Sequence, residues 1–300
     1  MLALIAGTGD LPPALIARLG ERPLVCALEG FDPAITTDVR FRLEHLGTFL
    51  ADLGARGITR ICMAGAVRRP QIDPKAIDAA TIPLIPKVQA AMAKGDDGAL
   101  RAIIALFEDA GFAIVAAHEV APDLLPEAGI PTRSKPEDWH RADAAEGEAC
   151  VAAMGAADVG QACIVRVGQV QAQEDEAGTD AMLARFCEPL DQRGMPDGPL
   201  MYLTDLGSDI IDQVRDWITG AIDAPVTADD GILFKAPKPG QDRRADLPTI
   251  GPGTAMAAAE AGLAGIVIEV DGVMVLDLPA VCEILDAQGM FLWIRERGAL

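Results

Sequence analysis

Residues 2–12 read LALIAGTGDLP, which combines an apolar run of strand length, a Gly-x-Gly turn and the start of a helical pattern. The first half repeats this alternation. Its predicted strands lie at 2–7, 23–30, 58–67 and 112–120, and its predicted helices at 10–20, 46–56, 86–94 and 97–110. Continuous apolar strands separated by helices are typical of a parallel sheet that is covered on both faces. The first part of the chain is therefore predicted to be a Rossmann-like domain.

A second domain is predicted after a connector. Residues 121–140 carry four prolines and no sustained period, which is typical of a linker. The predicted domains are thus 1–135 and 136–300. Predicted strands of the second domain lie at 231–236, 265–270, 272–277 and 290–296, with a further pair turned by Gly168, and predicted helices at 141–156, from 179, at 254–263 and at 279–288. These shorter, hairpin-like strands predict a mixed α/β fold.

The segment 188–228 follows neither pattern and is interpreted as a possible insertion or dimer contact. The complete expectation is an α/β protein in which a ligand cleft lies between a Rossmann-like N-terminal domain and a mixed α/β C-terminal domain. A cleft between two domains is the default place for a ligand with apolar chains.

Composition and charge restrict the class of function. The 300 residues include 45 acidic and 25 basic side chains, and the formal charge is −20. This net charge repels phosphate polymers and argues against nucleic-acid binding, although a local basic cluster can still bind a small anion. Six cysteines without metal-ligand spacing predict a reduced, cytosolic protein, and no apolar run reaches the roughly 18 residues of a spanning helix.

The turn AGTGDLP (6–12) is the first candidate site. Backbone N–H groups of such a turn can approach a phosphate at the positive end of a helix, and Glu29 stands where a ribose-binding carboxylate would lie. Pro12 occupies the third glycine position of the dinucleotide pattern, which argues against a dinucleotide. A tight turn without a ligand is the alternative. Arg68 and Arg69 follow the third strand, where they would face the same crevice or be solvated.

The stretch KAPKPGQDRRADLPTIGPGT (235–254) is the second candidate site. It gathers four cations, Lys235, Lys238, Arg243 and Arg244, and interleaves carboxylates with them. Four prolines and three glycines predict an irregular but stiff backbone. Cations can neutralise the oxygens of a transferring phosphoryl group, while an aspartate holds a divalent metal or orients water. A solvated loop of mutual ion pairs is the alternative.

A third candidate is EDEAGTDAML (174–183), in which Thr179 is predicted to cap a helix with Asp180 in its first turn, or else to face a ligand. The three histidines, His45, His118 and His140, follow no zinc spacing. Serine-hydrolase, P-loop and zincin motifs are absent from the sequence.

These stretches together resemble a known family. IAGTGDLP, AGAVRRP, AGTDAML and above all KAPKPGQDRRADLPTIGPGT, followed by GLAGIVIEVDGVMVLD, are similar to the UDP-2,3-diacylglucosamine pyrophosphatases of the LpxI type. The resemblance implies hydrolysis of UDP-2,3-diacylglucosamine to UMP and 2,3-diacylglucosamine 1-phosphate in lipid A biosynthesis, with Mg²⁺ or another divalent cation and with water attacking the sugar-side phosphorus. It also implies a cytoplasmic homodimer that contacts the inner membrane peripherally.

The resemblance assigns the essential aspartate to Asp242, which is predicted to be catalytic and either to bind the metal or to position the attacking water. The other predicted catalytic residues are Lys238, Gln241 and Asp246. The predicted substrate-binding residues are Gly7, Thr8, Gly9, Leu11, Pro12, Val67, Arg69, Thr179, Asp180, Lys235, Arg243 and Thr249.

Two other functions fit parts of the sequence. GTGD and Glu29 would suit an NAD-dependent oxidoreductase, for which no proton donor is identifiable. A non-enzymatic nucleotide or lipid carrier would keep the cleft and the cations but would not need Asp242.

Overall fold

The computed structural model describes residues 1–67, 72–92, 95–157, 159–187 and 231–298, and the predicted segment 188–228 lies outside these residues. Within the described part, two five-stranded sheets and one two-stranded sheet are formed. The first large sheet is parallel and the second is mixed. These observations confirm the predicted α/β class.

The first sheet has the order β3-β2-β1-β4-β5, and all its neighbouring strands are parallel. Its strands are β1 (Leu2–Ala6), β2 (Leu24–Leu28), β3 (Val39–Phe41), β4 (Arg60–Ala64) and β5 (Ala113–Val115). The helices that accompany it are α1 (Leu11–Arg18), α2 (Leu46–Ala55), α3 (Ile85–Met92), α4 (Gly95–Asp109) and α5 (Ala117–Val120).

Both faces of the first sheet are buried because successive side chains of a strand point to opposite faces. In β1, Ala3 packs into a cluster with Phe49 of α2, while Leu4 packs into a cluster with Leu15 of α1. The second cluster also contains Leu247, Met274 and Leu276, which come from the other half of the chain. Residues distant in sequence therefore complete the core on one face of the first sheet.

The second sheet has the order β12-β10-β8-β6-β7, with β8, β10 and β12 parallel and β6 and β7 antiparallel. Its strands are β6 (Ala162–Arg166), β7 (Gln169–Gln173), β8 (Ile232–Lys235), β10 (Gly265–Glu269) and β12 (Phe291–Arg295). A separate parallel pair is formed by β9 (Thr249–Ile250) and β11 (Met274–Val275). The helices of this half are α6 (Asp138–Ala156), α7 (Thr179–Cys187), α8 (Pro252–Glu260) and α9 (Leu278–Ala287).

Two strand predictions were wrong. The other strands of the second half were predicted to be hairpin-like, but β8, β10 and β12 are parallel because α8 and α9 connect them as crossovers. The predicted hairpin around Gly168 is confirmed by the antiparallel pair β6 and β7. The predicted strand 112–120 stops at Val115, because the Glu119 carboxylate accepts a hydrogen bond from the Ala116 N–H at 2.8 Å and starts the α5 turn.

All six cysteines are described and none forms a disulfide. Among the described residues, no helix is long and apolar enough to cross a membrane.

Candidate active site

The loop 235–254 joins the two halves of the chain. It starts at the carboxyl end of β8 and leads into β9 and α8. Its Leu247 is buried in the cluster that contains Leu15 of α1. On the other side it packs on α6, where a Cβ added to Gly155 would lie 2.6 Å from Pro239 Cδ. The loop is therefore fixed by contacts with both halves.

Asp242 lies in an ion pair at the turn of this loop. Its Oδ1 accepts hydrogen bonds from the N–H and Nε of Arg244 at 3.1 and 3.0 Å, and its Oδ2 accepts one from Nη2 at 2.8 Å. The other terminal nitrogen of Arg244 donates to Glu108 of α4 at 2.5 Å. These bonds from Arg244 hold the pKa of the Asp242 carboxyl below its usual range. Asp242 is thus an ionised carboxylate, 10% exposed, that can accept hydrogen bonds or bind a cation.

Gln241 organises the backbone around Asp242. Its Oε1 accepts a hydrogen bond from the Lys238 N–H at 2.9 Å, and its Nε2 donates to the Asp246 carboxylate at 2.6 Å. The same nitrogen lies 3.4 Å from Oε1 of Gln161, just before β6. The structure therefore brings together the four predicted catalytic residues in one hydrogen-bonded turn, and Gln161 connects this turn to the second sheet.

Lys235 is buried beneath the loop. Its ammonium donates to the Thr179 hydroxyl at 2.9 Å and to the Thr249 carbonyl at 3.0 Å. The Thr179 hydroxyl in turn donates to the buried Glu174 at 2.7 Å, so Thr179 belongs to this network and is not the predicted helix cap. Burial lowers the pKa of Lys235, while the nearby carboxylates, Glu174 first among them, raise it. The network joins β8, β9 and the start of α7 at one point.

Arg243 points away from Asp242. Its guanidinium donates to the Asp271 carbonyl at 3.2 Å and lies 3.5 Å from the Glu269 carboxylate, which ends β10. Glu269 also accepts a hydrogen bond from Arg297 at 2.8 Å. The side chain of Arg243 remains 48% exposed, so it can still reach an anionic ligand.

The Gly-x-Gly turn pairs with the end of β4. The N–H and carbonyl of Thr8 exchange hydrogen bonds with Ala66, each 2.9 Å long. A Cβ at Gly7 would lie 2.5 Å from the Ala66 carbonyl oxygen, and one at Gly65 would lie 2.9 Å from Pro12 Cγ. Glycine is therefore needed for close approach of two backbones, and Pro12 contacts the neighbouring turn.

A small pocket connects the two predicted sites. Leu11, Met63 and His118 line it from the first half, and Arg243 and Arg244 line it from the loop, together with Ala117, Ala245, Leu247 and Met274. Leu11 and Arg243 were predicted to bind the same ligand, and both contact this pocket.

Other predicted residues are not gathered there. Gly9 has a φ of +91° and is exposed at the turn, and Val67 and Asp180 are also exposed. Thr249 takes part through its carbonyl, while its hydroxyl donates to Leu247 O at 3.3 Å. Arg69, with Arg68, lies outside the described residues.

A divalent cation at this loop would have only one or two carboxylates as its protein ligands. Among the described residues there is no group of three or more His, Cys, Asp or Glu that could hold a metal. Both oxygens of Asp242 accept hydrogen bonds from Arg244, so a cation that binds this carboxylate on the same edge competes with Arg244. Mg²⁺ is often bound by one or two carboxylates together with substrate phosphates, and Asp242 is suited to that type of site.

Several residues of the site were not predicted from the sequence. Arg244 was counted among the cations of the loop but not among the predicted site residues, and Glu174 only began the third candidate stretch. Glu108, Gln161 and Glu269 were not identified. A usable signal existed for Glu269, because it ends an apolar run and the carboxyl ends of parallel strands meet at one edge of a sheet. Glu108 and Gln161 carry no local signal, since their contacts depend on the tertiary fold.

Comparison with known proteins relates the whole described architecture to one family. A model of the LpxI N-terminal domain matches residues 1–124, and a model of the LpxI C-terminal domain matches residues 127–293. The chain is similar to a protein of Caulobacter vibrioides named UDP-2,3-diacylglucosamine pyrophosphatase LpxI. The two are 35% identical over an alignment of 300 positions, and the alignment covers 97% of this chain and 96% of that protein.

Proposed function

The chain belongs to the LpxI family, and from this premise we propose that it hydrolyses UDP-2,3-diacylglucosamine to UMP and 2,3-diacylglucosamine 1-phosphate. The observation that carries the proposal is the 35% identity, along almost the full length, to a protein named for this activity. Family membership favours hydrolysis over the oxidoreductase and the carrier that the sequence left open.

Asp242 is proposed as the catalytic residue. Its carboxylate has a lowered pKa and is ionised at neutral pH. It can therefore accept a hydrogen bond from a water molecule and orient it. Gln241 and Asp246 hold the turn on which Asp242 stands, and so act as positioning residues. Lys238 and Arg243 supply positive charge for the oxygens of the pyrophosphate.

The substrate-binding part is proposed to include the turn at Gly7, Thr8 and Gly9. The strand order β3-β2-β1-β4-β5 is the order of doubly wound nucleotide-binding sheets, which supports a Rossmann-like domain. Ligands of such sheets bind beyond the carboxyl ends of the strands, where this turn and the pocket at Leu11 both lie. The ligand cleft between the halves is proposed at this edge.

A divalent cation, Mg²⁺ in the first place, is proposed to bind at Asp242. When bound, it would neutralise negative charge on the phosphate oxygens. Lys235 remains below the loop and fixes the carbonyl of Thr249, so its contribution is to position the loop. The proposal is completed by a homodimer, which the family resemblance implies, and by a peripheral contact with the inner membrane, which suits a substrate with two acyl chains.

The proposal is tested by measuring UMP release from UDP-2,3-diacylglucosamine. The wild type should release UMP with Mg²⁺ and lose activity in EDTA, and Asp242→Asn should lose turnover while it still binds substrate. Asp138→Asn is a matched control, because Asp138 is fully exposed at the start of α6. Absence of UMP release by the wild type, or wild-type turnover by Asp242→Asn, would refute the proposed function or the assigned residue, respectively.

The same assay in H₂¹⁸O identifies the attacked phosphorus. Attack on the sugar-side phosphorus places ¹⁸O in 2,3-diacylglucosamine 1-phosphate, and attack on the uridine side places it in UMP. We expect the label in the lipid product.

A further inference from the structure

Arg244 pairs with the carboxylate of Asp242, on which a divalent cation is proposed to bind. Its guanidinium forms a side-on pair with the carboxylate, through Nε at 3.0 Å and Nη2 at 2.8 Å. Such a planar fork satisfies both carboxylate oxygens at once. Since Asp242 is only 10% exposed, little of its carboxylate remains accessible while Arg244 is in place.

The same guanidinium has a second partner. Glu108 of α4 accepts a hydrogen bond from Nη1 of Arg244, and the two side chains are 45% and 39% exposed. One cation is therefore shared between two carboxylates, of which one belongs to the loop and one to the first half of the chain. If Arg244 leaves Asp242, it retains Glu108 and water as partners, so release does not leave a buried, unpaired charge.

The face of α4 that carries Glu108 also holds the loop at a second point. Arg101 donates to the carbonyl of Gly240, two residues before Asp242. Residues 101 and 108 are seven positions apart and so lie on the same face of a helix. Helix α4 thus contacts the loop on both sides of Asp242, which keeps Arg244 near its alternative partner.

We propose that Arg244 is a positioning residue that neutralises and orients Asp242 in the free protein, and that it leaves Asp242 and keeps only Glu108 as its partner when a divalent cation binds Asp242. The inference rests on the proposed role of Asp242 as a metal ligand. Its consequence is that metal affinity in the absence of substrate is held low by competition with an arginine of the same loop.

The test measures Mn²⁺ binding to the full-length, substrate-free protein by electron paramagnetic resonance, so its readout is independent of turnover. Removing the competitor in Arg244→Gln should tighten Mn²⁺ binding about tenfold, a change equivalent to roughly 1.4 kcal/mol. Glu108→Gln should weaken binding about threefold, because Arg244 then loses the carboxylate that holds it when it leaves Asp242. Thermal melts verify that each variant is folded.

Arg243→Gln is the matched control. It removes the same charge one residue away, from a side chain that contacts Asp271 and Glu269 and not Asp242. Its Mn²⁺ affinity should stay within about twofold of the wild type, because this half-exposed side chain pairs with Glu269 and an exposed charge contributes little energy. The double variant Asp242→Asn/Arg244→Gln should lose the tenfold gain, which places the gain at Asp242.

Several outcomes would overturn the inference. Arg244→Gln could bind Mn²⁺ no more tightly than the wild type, or neither the wild type nor Arg244→Gln could bind Mn²⁺ detectably. Arg243→Gln could bind Mn²⁺ as tightly as Arg244→Gln, or Asp242→Asn/Arg244→Gln could keep the tenfold increase in affinity. Failure of the proposed function has a different signature, in which the wild type releases no UMP although the Mn²⁺ affinities follow the expected order.

Discussion

Replacing Lys235 by Met removes a buried charge and keeps the length of the side chain. Lys235 is 6% exposed, and its ammonium has two recorded partners, the hydroxyl of Thr179 and the carbonyl of Thr249. We expect the substitution to reduce turnover strongly while it changes the free energy of unfolding little.

The magnitude follows from the two opposing effects of the charge. The variant leaves the Thr249 carbonyl without its donor, at a cost of about 1–3 kcal/mol. Glu174 keeps the Thr179 hydroxyl and the Gln161 N–H, at 2.7 Å each, so it is not left without hydrogen bonds. Against this cost, the variant avoids the desolvation of an ammonium, which is several kcal/mol in proteins. The net change at pH 7 should therefore lie within about 2 kcal/mol of zero.

The direction of the pKa shift adds a pH dependence. Burial lowers the pKa of Lys235 in the folded protein, so the unfolded chain binds the proton more tightly. Stability then rises with pH between the folded pKa and the unfolded value of about 10.4. The wild type should gain stability relative to Lys235→Met as the pH is raised from 7 towards 10, because deprotonation removes the cost of the buried charge.

Urea denaturation at several pH values measures both expectations, and UMP release measures turnover. Turnover should fall about tenfold or more, since the charged hydrogen bonds that fix β8 to Thr249 of β9 and to Thr179 of α7 are lost. A loss of stability above about 4 kcal/mol at pH 7 would refute the reasoning, because Lys235 would then be a stabilising member of an ion network. The reasoning would also be refuted if the stability of the wild type, relative to that of Lys235→Met, fell as the pH rose.

Three further predictions concern packing and charge. Gly7→Ala should lower the free energy of unfolding by about 1–3 kcal/mol and reduce turnover, because its Cβ would overlap the Ala66 carbonyl, whereas Gly253→Ala, with no atom within 4 Å, should be neutral; urea denaturation compares the two. Gly155→Ala should displace Pro239 and so reduce turnover, with little change in the melting temperature; UMP release and thermal melts measure the two effects. Glu44→Gln should be less stable than the wild type at pH 7, and the difference should disappear as the pH falls from about 5 to about 2, because Arg42 lowers the pKa of Glu44 to about 2; denaturation at each pH measures this.

The elements with a strong apolar period were predictable. The strand β1, the turn after it and the helices α1 and α2 lie where the pattern places them, because each buries a continuous apolar run or stripe. The strands β3 and β9 were missed for a physical reason. They contain three and two residues, and their pairing with β2 and β11 comes from tertiary context and not from their own side chains.

The candidate site was recognisable in the sequence as a loop, but its contacts were not predictable. The composition of 235–254 identified the loop, because prolines, glycines and alternating charges are local signals. Which cation pairs with which carboxylate depends on the fold. Arg243 and Arg244 are adjacent and chemically identical, yet one pairs with Glu269 of β10 and the other with Asp242 and Glu108.

Leu276 is synthesised 261 residues after Leu15, although the two belong to one buried cluster. At translation rates of roughly 5–20 residues per second, about 13–50 s pass between the synthesis of Leu15 and that of Leu276, which helps to cover this face of the first sheet. During that interval an apolar surface of the nascent chain is open to chaperones or to other chains. Because Leu247 belongs to the same cluster, the step that covers this surface also brings the Asp242 loop against the first sheet. Protein released early from the ribosome should therefore lack activity and aggregate.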